Sequence, residues 1–226
     1  MSRIVLFGTG RGAAVAHRFL IGDTDHQVVA FTVDAAHLGA KEYRGLPVVA
    51  FEEVDRHFPP ESVQMLILLG YQQMNGLRKQ KYDAAKTKGY TLASYVASDI
   101  FRVEPIGVGE NCFIMDNQSI SLDVAIGNNV VMWSSNHIGD ATTIGDHAWV
   151  SSHVTVAANV KIEERVFLGI GATVTNGVTI GREAFIGANV MASASMEPGS
   201  VHLLGQGKID VASAPFMRIM IAEKKL

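Results

Sequence analysis

The chain of 226 residues has little of what would place it in several large classes of protein. It contains one cysteine, Cys112, so no disulfide within the chain can hold the fold together, and a reducing compartment, the cytoplasm, is expected. No run of about 18 apolar residues is present, so we expect no membrane span. The net charge of −3 argues against a nucleic-acid polymer or an anionic membrane surface as the main partner. Cys112 itself is predicted to be a buried structural thiol.

What the chain does have is an apolar residue at every sixth position over most of its second half, without an insertion. The positions are Val108, Ile114, Ile120, Ile126, Met132, Ile138, Ile144, Val150, Val156, Ile162, Leu168, Val174, Ile180 and Ile186. A period of six is typical of a parallel β-helix, in which three hexads close one triangular coil of about 18 residues. The apolar residues are predicted to stack inside the coils. The glycines that often follow them are predicted to allow positive φ at the turns.

The first hundred residues follow a different pattern, in which apolar and amphipathic segments alternate. Strands are predicted at Arg3–Phe7, Gln27–Val33, Arg44–Phe51, Val63–Leu69 and Tyr90–Tyr95, and helices after Ala13 through Leu20, at Glu52–Phe58 and at Gln73–Lys88. This alternation predicts a small parallel α/β sheet. We therefore expect an α/β, Rossmann-like domain over residues 1–97 and an all-β parallel β-helix domain over residues 98–226, which ends in a tail, Ser193–Leu226, without the period of six. The joint is placed at Ala97–Pro105, and Met217–Lys225 is predicted to be a terminal helix.

A glycine loop follows the first predicted strand. Gly8, Gly10 and Ala13 fit the pattern G-x-G-x-x-[GA], and a helix N-terminus behind such a loop favours phosphate. Asp34 ends the second strand, where a carboxylate can accept hydrogen bonds from ribose hydroxyls. The domain is too short for two mononucleotide halves, so one nucleotide is favoured over NAD, and a tight structural turn is the alternative. The predicted nucleotide contacts are Gly8, Gly10, Arg11, Gly12 and Asp34.

The most specific stretch of the second half is Trp133–His147, which continues through Ser151–His153. Together with the small Rossmann-like domain ahead of the hexads, this block resembles the sugar O-/N-acyltransferases of the sialic acid O-acetyltransferase and bacillosamine N-acetyltransferase group. The resemblance covers nearly the whole chain. It implies a left-handed β-helix, a homotrimer with active sites between neighbouring helices, acetyl-CoA along the coils, and a nucleotide-linked amino sugar held by the N-terminal domain.

The same resemblance implies particular contacts with the two substrates. Backbone groups in the column of Ile170 and Ala188, one coil apart, would contact the pantetheine arm of CoA, and Trp149 and Lys208 are further predicted CoA contacts. Asn136 belongs to an Asn-His pair like that of the relatives and is predicted to contact the sugar. No metal is expected. Scattered cations on the later coils are candidates for the CoA phosphates, and they are Lys161, Arg165, Arg182 and Lys208.

Acyl transfer needs a base, and histidine suits that task near neutral pH. Three histidines fall within the block, His137, His147 and His153. Because one coil takes 18 residues, His153 should stack over Ser135, only two residues before His137, and these two histidines should share a corner. His147 should stack over Asn129 on a different corner, as a solvent-facing turn residue.

In many relatives the base is a histidine four residues before the apolar residue of an I-G-[DE] turn, and here that register holds Asp140. We therefore rank the candidate bases as His137, His153, Asp140 and His147. The weakened base signature suits an amine acceptor better than a hydroxyl, although sugar O-acetylation remains an alternative. The three histidines also allow a zinc site of the γ-carbonic-anhydrase kind. A non-catalytic sugar-nucleotide-binding protein is the last alternative.

Overall fold

The computed structural model describes residues 1–102 and 104–204, and its N-terminal part is a mostly parallel sheet with helices. In chain order the elements are β1 (Arg3–Phe7), α1 (Arg11–Asp23), β2 (Gln27–Val33), β3 (Glu42–Tyr43), β4 (Leu46–Ala50), α2 (Val54–His57), β5 (Gln64–Ile67) and α3 (Gly76–Thr87), with 3₁₀ turns at Ala35–His37 and Phe51–Glu53. The sheet order is β3-β4-β2-β1-β5, and only the β3–β4 pair is antiparallel. The carboxyl ends of β1, β2 and β5 therefore meet at one edge.

The strand β1 shows why this sheet is buried on both sides. Ile4 and Leu6 pack into the cluster that holds α1, whereas Val5 and Phe7 pack into a second cluster on the opposite side. All four are less than 5% exposed, as expected for a parallel sheet covered on both faces. The predicted bounds of β1 and β2 are confirmed. The last predicted strand is wrong: in Tyr90–Tyr95 only Leu92 forms a bridge to this sheet, and Tyr95 belongs to the β-helix.

The β-helix consists of two-residue strands that pair in parallel with the strand one coil away. In chain order they are β6 (Tyr95–Val96), β7 (Phe101–Arg102), β8 (Gly107–Val108), β9 (Phe113–Ile114), β10 (Ser119–Ile120), β11 (Ala125–Ile126), β12 (Val131–Met132), β13 (His137–Ile138), β14 (Thr143–Ile144), β15 (Trp149–Val150), β16 (Thr155–Val156), β17 (Lys161–Ile162), β18 (Phe167–Leu168), β19 (Thr173–Val174), β20 (Thr179–Ile180), β21 (Phe185–Ile186), β22 (Met191–Ala192) and β23 (Val201–His202). The helix is left-handed. This architecture confirms the predicted fold class, α/β followed by a left-handed parallel β-helix.

Three faces run along the helix. We call the first face the seven-stranded sheet of β6, β9, β12, β15, β18, β21 and β23, the second face the six-stranded sheet from β7 to β22, and the third face the five-stranded sheet from β8 to β20. The first corner joins the first and second faces, the second corner joins the second and third, and the third corner joins the third and first. Every predicted apolar hexad residue from Ile114 to Ile186 is buried, and Val108, in the first coils, is half-buried.

The turns place a left-handed residue three positions after each apolar one. Fourteen consecutive such residues, from Asn111 to Asn189, have φ between 52° and 72°. The prediction that the glycines after the apolar residues supply positive φ is therefore wrong. Those glycines are required because a side chain would strike the next coil, and a Cβ at Gly139 would lie 2.7 Å from the carbonyl carbon of Ala157.

The two parts of the chain share a core at the start of the first face. Phe19 of α1 packs against Tyr95 and Phe113, with ring centroids 5.7 and 6.3 Å apart. Cys112 is fully buried in the same cluster, and burial raises the pKa of its thiol to about 11, so the expectation of a structural thiol is confirmed. Ile67 of β5 exchanges two hydrogen bonds with the side chain of Asn111, at 2.8 and 3.0 Å. These contacts fix the sheet against the first coils.

The helix α3 extends this contact along the third corner. Arg78 is fully buried, and its guanidinium donates to the carbonyl oxygens of Asn129 at 3.2 Å and His147 at 2.7 Å, on successive coils. Asn75 donates to the carbonyl oxygen of Arg165, one coil further along, at 3.2 Å. The start of α3 therefore spans three coils.

Candidate active site

A cavity of about 560 Å³ lies along the first corner. Its described lining consists of Tyr71, Trp133, Trp149, Ser151, Ser152, Phe167, Gly169, Ile170, Phe185, Gly187, Ala188 and Leu203. None of these side chains is charged, and only Tyr71 comes from the N-terminal part. The volume and the apolar, aromatic lining with a few hydroxyl groups are those of a small-molecule site.

A chain of aromatic rings forms one wall of this cavity. The Tyr71 ring makes edge-to-face contacts with Trp149 and Phe167, with centroids 5.1 and 5.0 Å apart. Trp133 lies 6.0 Å from Trp149, and Phe167 stacks on Phe185 at 4.8 Å. Because Trp149, Phe167 and Phe185 are the outward residues of successive strands on the first face, the wall runs parallel to the helix axis.

Three of the four predicted CoA contacts meet at this cavity. Trp149, Ile170 and Ala188 all line it, and Ile170 is 58% exposed at its rim. Lys208 lies outside the described residues. That these residues bind CoA stays a prediction, but the structure places them on one surface.

The candidate phosphate-binding cations lie elsewhere. Lys161 is on the third face, beside Glu163 at 3.0 Å, and Arg165 is on the third corner, paired with Glu183. Arg182, also on the third corner, lines a separate cavity of about 640 Å³ with Lys161. None of these three borders the aromatic cavity.

His153 lies next to the cavity and His137 on the adjacent coil, in the positions that the 18-residue spacing predicts. His153 sits on the first corner with φ of 59°, directly over Ser135, and its N–H donates to the carbonyl oxygen of Ser134. Its neighbour Ser152 lines the cavity. His137 begins the strand that follows the Ser135 turn, and both histidine side chains are exposed. The structure therefore brings the two first-ranked base candidates to the same corner of adjacent coils, with His153 at the edge of the predicted CoA surface.

Asp140 lies on the second corner, away from the cavity. It is exposed, and its Oδ1 accepts a hydrogen bond of 3.1 Å from the N–H of Leu122 on the coil below. Asp140, which occupies the position of the base histidine in many relatives, therefore uses its carboxylate to hold a turn of the β-helix. Asp140 remains the third-ranked candidate base.

The prediction that Asn136 contacts the sugar is not supported by its position. The side chain is 2% exposed and points into the coil. Its Oδ1 accepts from the N–H of Val154 at 2.8 Å, and its Nδ2 donates to the carbonyl oxygen of Trp133. The amide is used in holding two coils together, which leaves it no access to a ligand.

His147 is not the solvent-facing turn residue that the sequence predicts. It stacks over Asn129 on the third corner, as expected, but it is 5% exposed because α3 covers this corner. Asn129 donates to its Nδ1 at 2.8 Å, and the Tyr82 ring packs against it at 5.3 Å. Burial lowers the pKa of His147 to about 4, so the ring is neutral at pH 7. His147 is therefore part of the contact between the two parts of the chain.

The predicted nucleotide loop lies at the carboxyl ends of β1 and β2. Gly8 has φ of 108°, and its N–H donates to the carbonyl oxygen of Thr32 at 2.7 Å. Gly10 is the N-cap of α1 and Arg11 its exposed first residue. A Cβ at Gly12 would lie 2.8 Å from the carbonyl oxygen of Leu68, so this glycine permits close packing of helix and strand.

Asp34 lies beside this loop and forms an ion pair with Lys81 that the sequence does not predict. Its Oδ1 is 2.6 Å from Nζ of Lys81, on α3. The five predicted nucleotide contacts thus meet at one sheet edge, with a cation added. Since Lys81 is 47 residues from Asp34, no local pattern marks the pair.

Two further properties of the structure concern the hypotheses of a metal site and of a membrane span. Among residues 1–102 and 104–204, no set of three His, Cys, Asp or Glu side chains is arranged to hold a metal ion. Within the same residues, no helix combines the length and apolarity that crossing a membrane requires.

Comparison with known proteins relates the chain to one sequence family and to several solved structures. Residues 159–192 match the family model of the bacterial transferase hexapeptide (six repeats), and no curated protein sequence matches the chain. The acetyltransferase domain of PglB from Neisseria gonorrhoeae FA1090 superposes with a TM-score of 0.76 at 15% identity, covering 89% of this chain and 96% of that one. PerB from Caulobacter crescentus, solved with CoA and GDP-perosamine, gives a TM-score of 0.74 at 20% identity, covering 89% and 93%. The chain therefore shares the fold of the PglB acetyltransferase domain and of PerB.

WeeI from Acinetobacter baumannii AYE adds a third similar structure, with a TM-score of 0.74 at 16% identity, covering 89% of this chain and 96% of that one. The resemblance seen in the sequence is thus confirmed at the level of the fold. Three residues of the cavity were not predicted from the sequence, namely Tyr71, Phe167 and Phe185. A signal for the last two exists, since aromatic residues recur at 18-residue spacing in the outward positions of the first face.

Proposed function

We propose that the chain transfers an acetyl group from acetyl-CoA to the amine of a nucleotide-linked amino sugar. The observation that carries the proposal is the cavity of the first corner, which gathers Trp149, Ile170 and Ala188 beside His153. In one similar structure, PerB, CoA and GDP-perosamine are bound together. The nucleotide of the acceptor would lie on the Gly8–Gly12 loop at the edge of the sheet.

The reaction requires removal of one proton and transfer of one acyl group. The amine nitrogen attacks the thioester carbonyl carbon, the carbon–sulfur bond breaks, and a base takes the proton that the amine loses. We assign the base to His137 first, since it is exposed and begins the strand that follows the first corner, and to His153 second. His147 is buried and neutral in the contact with α3, so it is the weakest candidate.

The proposed roles of the two domains and the proposed trimer follow from the resemblance to the sugar acyltransferases. Residues 1–97 would bind the nucleotide, residues 98–226 would transfer the acyl group, and three chains would assemble into a homotrimer in the cytoplasm. In such a trimer the exposed second face, which carries His137, would meet a neighbouring chain. Light scattering measures the trimer directly.

The test is release of CoA thiol from acetyl-CoA with a panel of UDP-, dTDP- and GDP-linked amino sugars. His137→Asn keeps the size of the side chain and removes the basic nitrogen, so kcat should fall by about 10²–10⁴ if His137 is the base. His153→Asn is the matched control on the adjacent coil. A large loss in His153→Asn alone would reverse the two roles.

The panel also decides the function itself. An alkali-stable amide product supports N-acetylation, whereas an alkali-labile ester would identify a sugar hydroxyl as the acceptor. If no member of the panel releases thiol, the proposed function is wrong.

A further inference from the structure

The cavity of the first corner continues past the coils that the pantetheine arm would occupy. It measures about 560 Å³ and has five aromatic side chains in its lining, and two of these, Trp133 and Trp149, lie beyond Ile170 and Ala188 along the helix. Its described lining offers hydroxyl groups from Tyr71, Ser151 and Ser152, and no charge. A phosphate or a fully hydroxylated sugar placed there would lose hydrogen bonds to water without replacement, which is costly.

The orientation of the donor follows from the proposed function, on which this inference rests. Trp133, Ser151, Gly169 and Gly187 hold the same hexad position on four successive coils. With strands about 4.8 Å apart, the cavity extends about 15 Å along the helix. If the pantetheine arm passes Ala188 and then Ile170, the thioester reaches the coil of His153.

At that coil the space beside the thioester is aromatic. Trp133, Trp149 and Tyr71 surround it, with ring centroids 6.0 and 5.1 Å from the central Trp149. Trp133 is half-buried, so part of its ring faces the cavity. A thioester at this coil would therefore direct the group attached to its carbonyl toward these three aromatic side chains.

We propose that the cavity receives the acyl chain of the donor, and that the donors extend beyond acetyl-CoA to acyl-CoA thioesters with apolar acyl groups of about four to eight carbons. The chemistry is unchanged. The amine nitrogen bonds to the acyl carbonyl carbon, the carbon–sulfur bond breaks, and the amine proton passes through the base to the leaving thiolate. The acyl chain itself only binds, and each methylene that leaves water for the cavity strengthens that binding.

The chain carries its own reporter for the test. Its two tryptophans, Trp133 and Trp149, both line the cavity. Tryptophan fluorescence of the full-length protein is titrated with CoA, acetyl-CoA, butyryl-CoA and hexanoyl-CoA. A buried methylene is worth about fourfold in affinity, so butyryl-CoA should bind at least about tenfold more tightly than acetyl-CoA, and hexanoyl-CoA more tightly still.

A filling variant tests the location. Ser152→Phe places a ring inside the cavity and should reduce the ratio of the acetyl-CoA to the hexanoyl-CoA dissociation constant to below about threefold, less than one methylene. Asn176→Phe is the matched control, because Asn176 is exposed at the same hexad position on the second corner. It should keep the wild-type ratio. A ratio lowered equally in both variants would contradict the location.

The outcomes separate this inference from the proposed function. If CoA and acetyl-CoA bind but affinity does not rise with chain length in the wild-type protein, the acyl cavity is wrong and the acetyltransferase stands. If none of the four compounds binds and none of the three acyl-CoA thioesters supports thiol release, both proposals are wrong. Because the wild-type series decides the question alone, a variant that fails to fold does not leave it open.

Discussion

Replacing Arg78 by methionine tests how the two parts of the chain are held together. The guanidinium is fully buried and donates to the carbonyl oxygens of Asn129 and His147, at 3.2 and 2.7 Å. Within the part of the chain that the structure describes, these two oxygens have no other donor. Methionine fills a similar space and donates nothing, so both carbonyls would be left unpaired beneath α3.

Two effects oppose each other in this replacement. Two buried carbonyls without a donor cost about 2–6 kcal/mol, since each costs about 1–3 kcal/mol. Removing the guanidinium also removes the free-energy cost of keeping its charge out of water. That cost is the reason why burial lowers the pKa of Arg78 to about 9. The guanidinium further lies 5.5 Å from the centre of the Trp149 ring, a favourable contact that is lost. We expect a net destabilisation of about 3 kcal/mol.

Thermal unfolding measures the net effect. At about 2–4 °C per kcal/mol for a chain of this size, the Tm should fall by about 6–12 °C. Hydrogen exchange at the amide of Ile67, which donates to Asn111 at the same contact, should accelerate. Lys79→Met is the control, because Lys79 forms an ion pair with Asp83 near the surface of the same helix and should change stability by less than about 0.5 kcal/mol. An unchanged Tm in Arg78→Met would show that relief of the buried charge offsets the lost hydrogen bonds.

Two further predictions concern the coils. The pKa of His147 is about 4 in the folded chain and about 6.5 when unfolded, so only the unfolded state gains a proton between these values. This contribution to stability is fully present above about pH 6.5, and about 3 kcal/mol of it should be lost as the pH falls to about 4. His147→Asn, which keeps a residue suited to positive φ, should reduce this slope in a pH series of Tm, and an unaltered slope would contradict the assignment. Gly139→Ala should cost about 1–3 kcal/mol in urea unfolding because its Cβ meets Ala157, whereas Gly107→Ala, with nothing within 4 Å, should cost less than about 0.5 kcal/mol. Equal costs would refute the packing argument.

The parts of the fold that depend on periodicity could be predicted from the sequence. The hexad residues from Ile114 onward are buried as predicted, because an inward position in a repeating coil tolerates only apolar side chains. The strands Arg3–Phe7 and Gln27–Val33 have the predicted bounds. Tyr90–Tyr95 was harder to assign, since its apolar residues serve the β-helix as well as the sheet. Tyr90 and Leu92 are buried in one hydrophobic cluster, and Ala93 and Tyr95 in the other. The apolar pattern of such a segment does not indicate whether it forms a strand of the sheet or of the β-helix.

The candidate site could be predicted only where it follows from counting along the coils. Adding 18 to Ser135 gives His153, and adding 18 to Ile170 gives Ala188, and the structure keeps both pairs stacked. The burial of His147 could not be predicted, because it depends on α3, which is distant in sequence. The contact of Tyr71 with Trp149 and Phe167 could not be predicted either, because these residues are far apart in the sequence.

The uniform spacing of the turns means that the direction of each side chain in the β-helix depends on the number of residues that precede it. Inserting eighteen residues would move all later coils one step along the axis and leave each side chain facing the same direction. Inserting six would rotate everything beyond the insertion by about a third of a revolution. An insertion of six between His153 and Ile170 would therefore carry Ile170 to another edge of the prism and divide the cavity. Length changes within this segment are compatible with its cavity only in whole coils, and each adds or removes about 4.8 Å of wall.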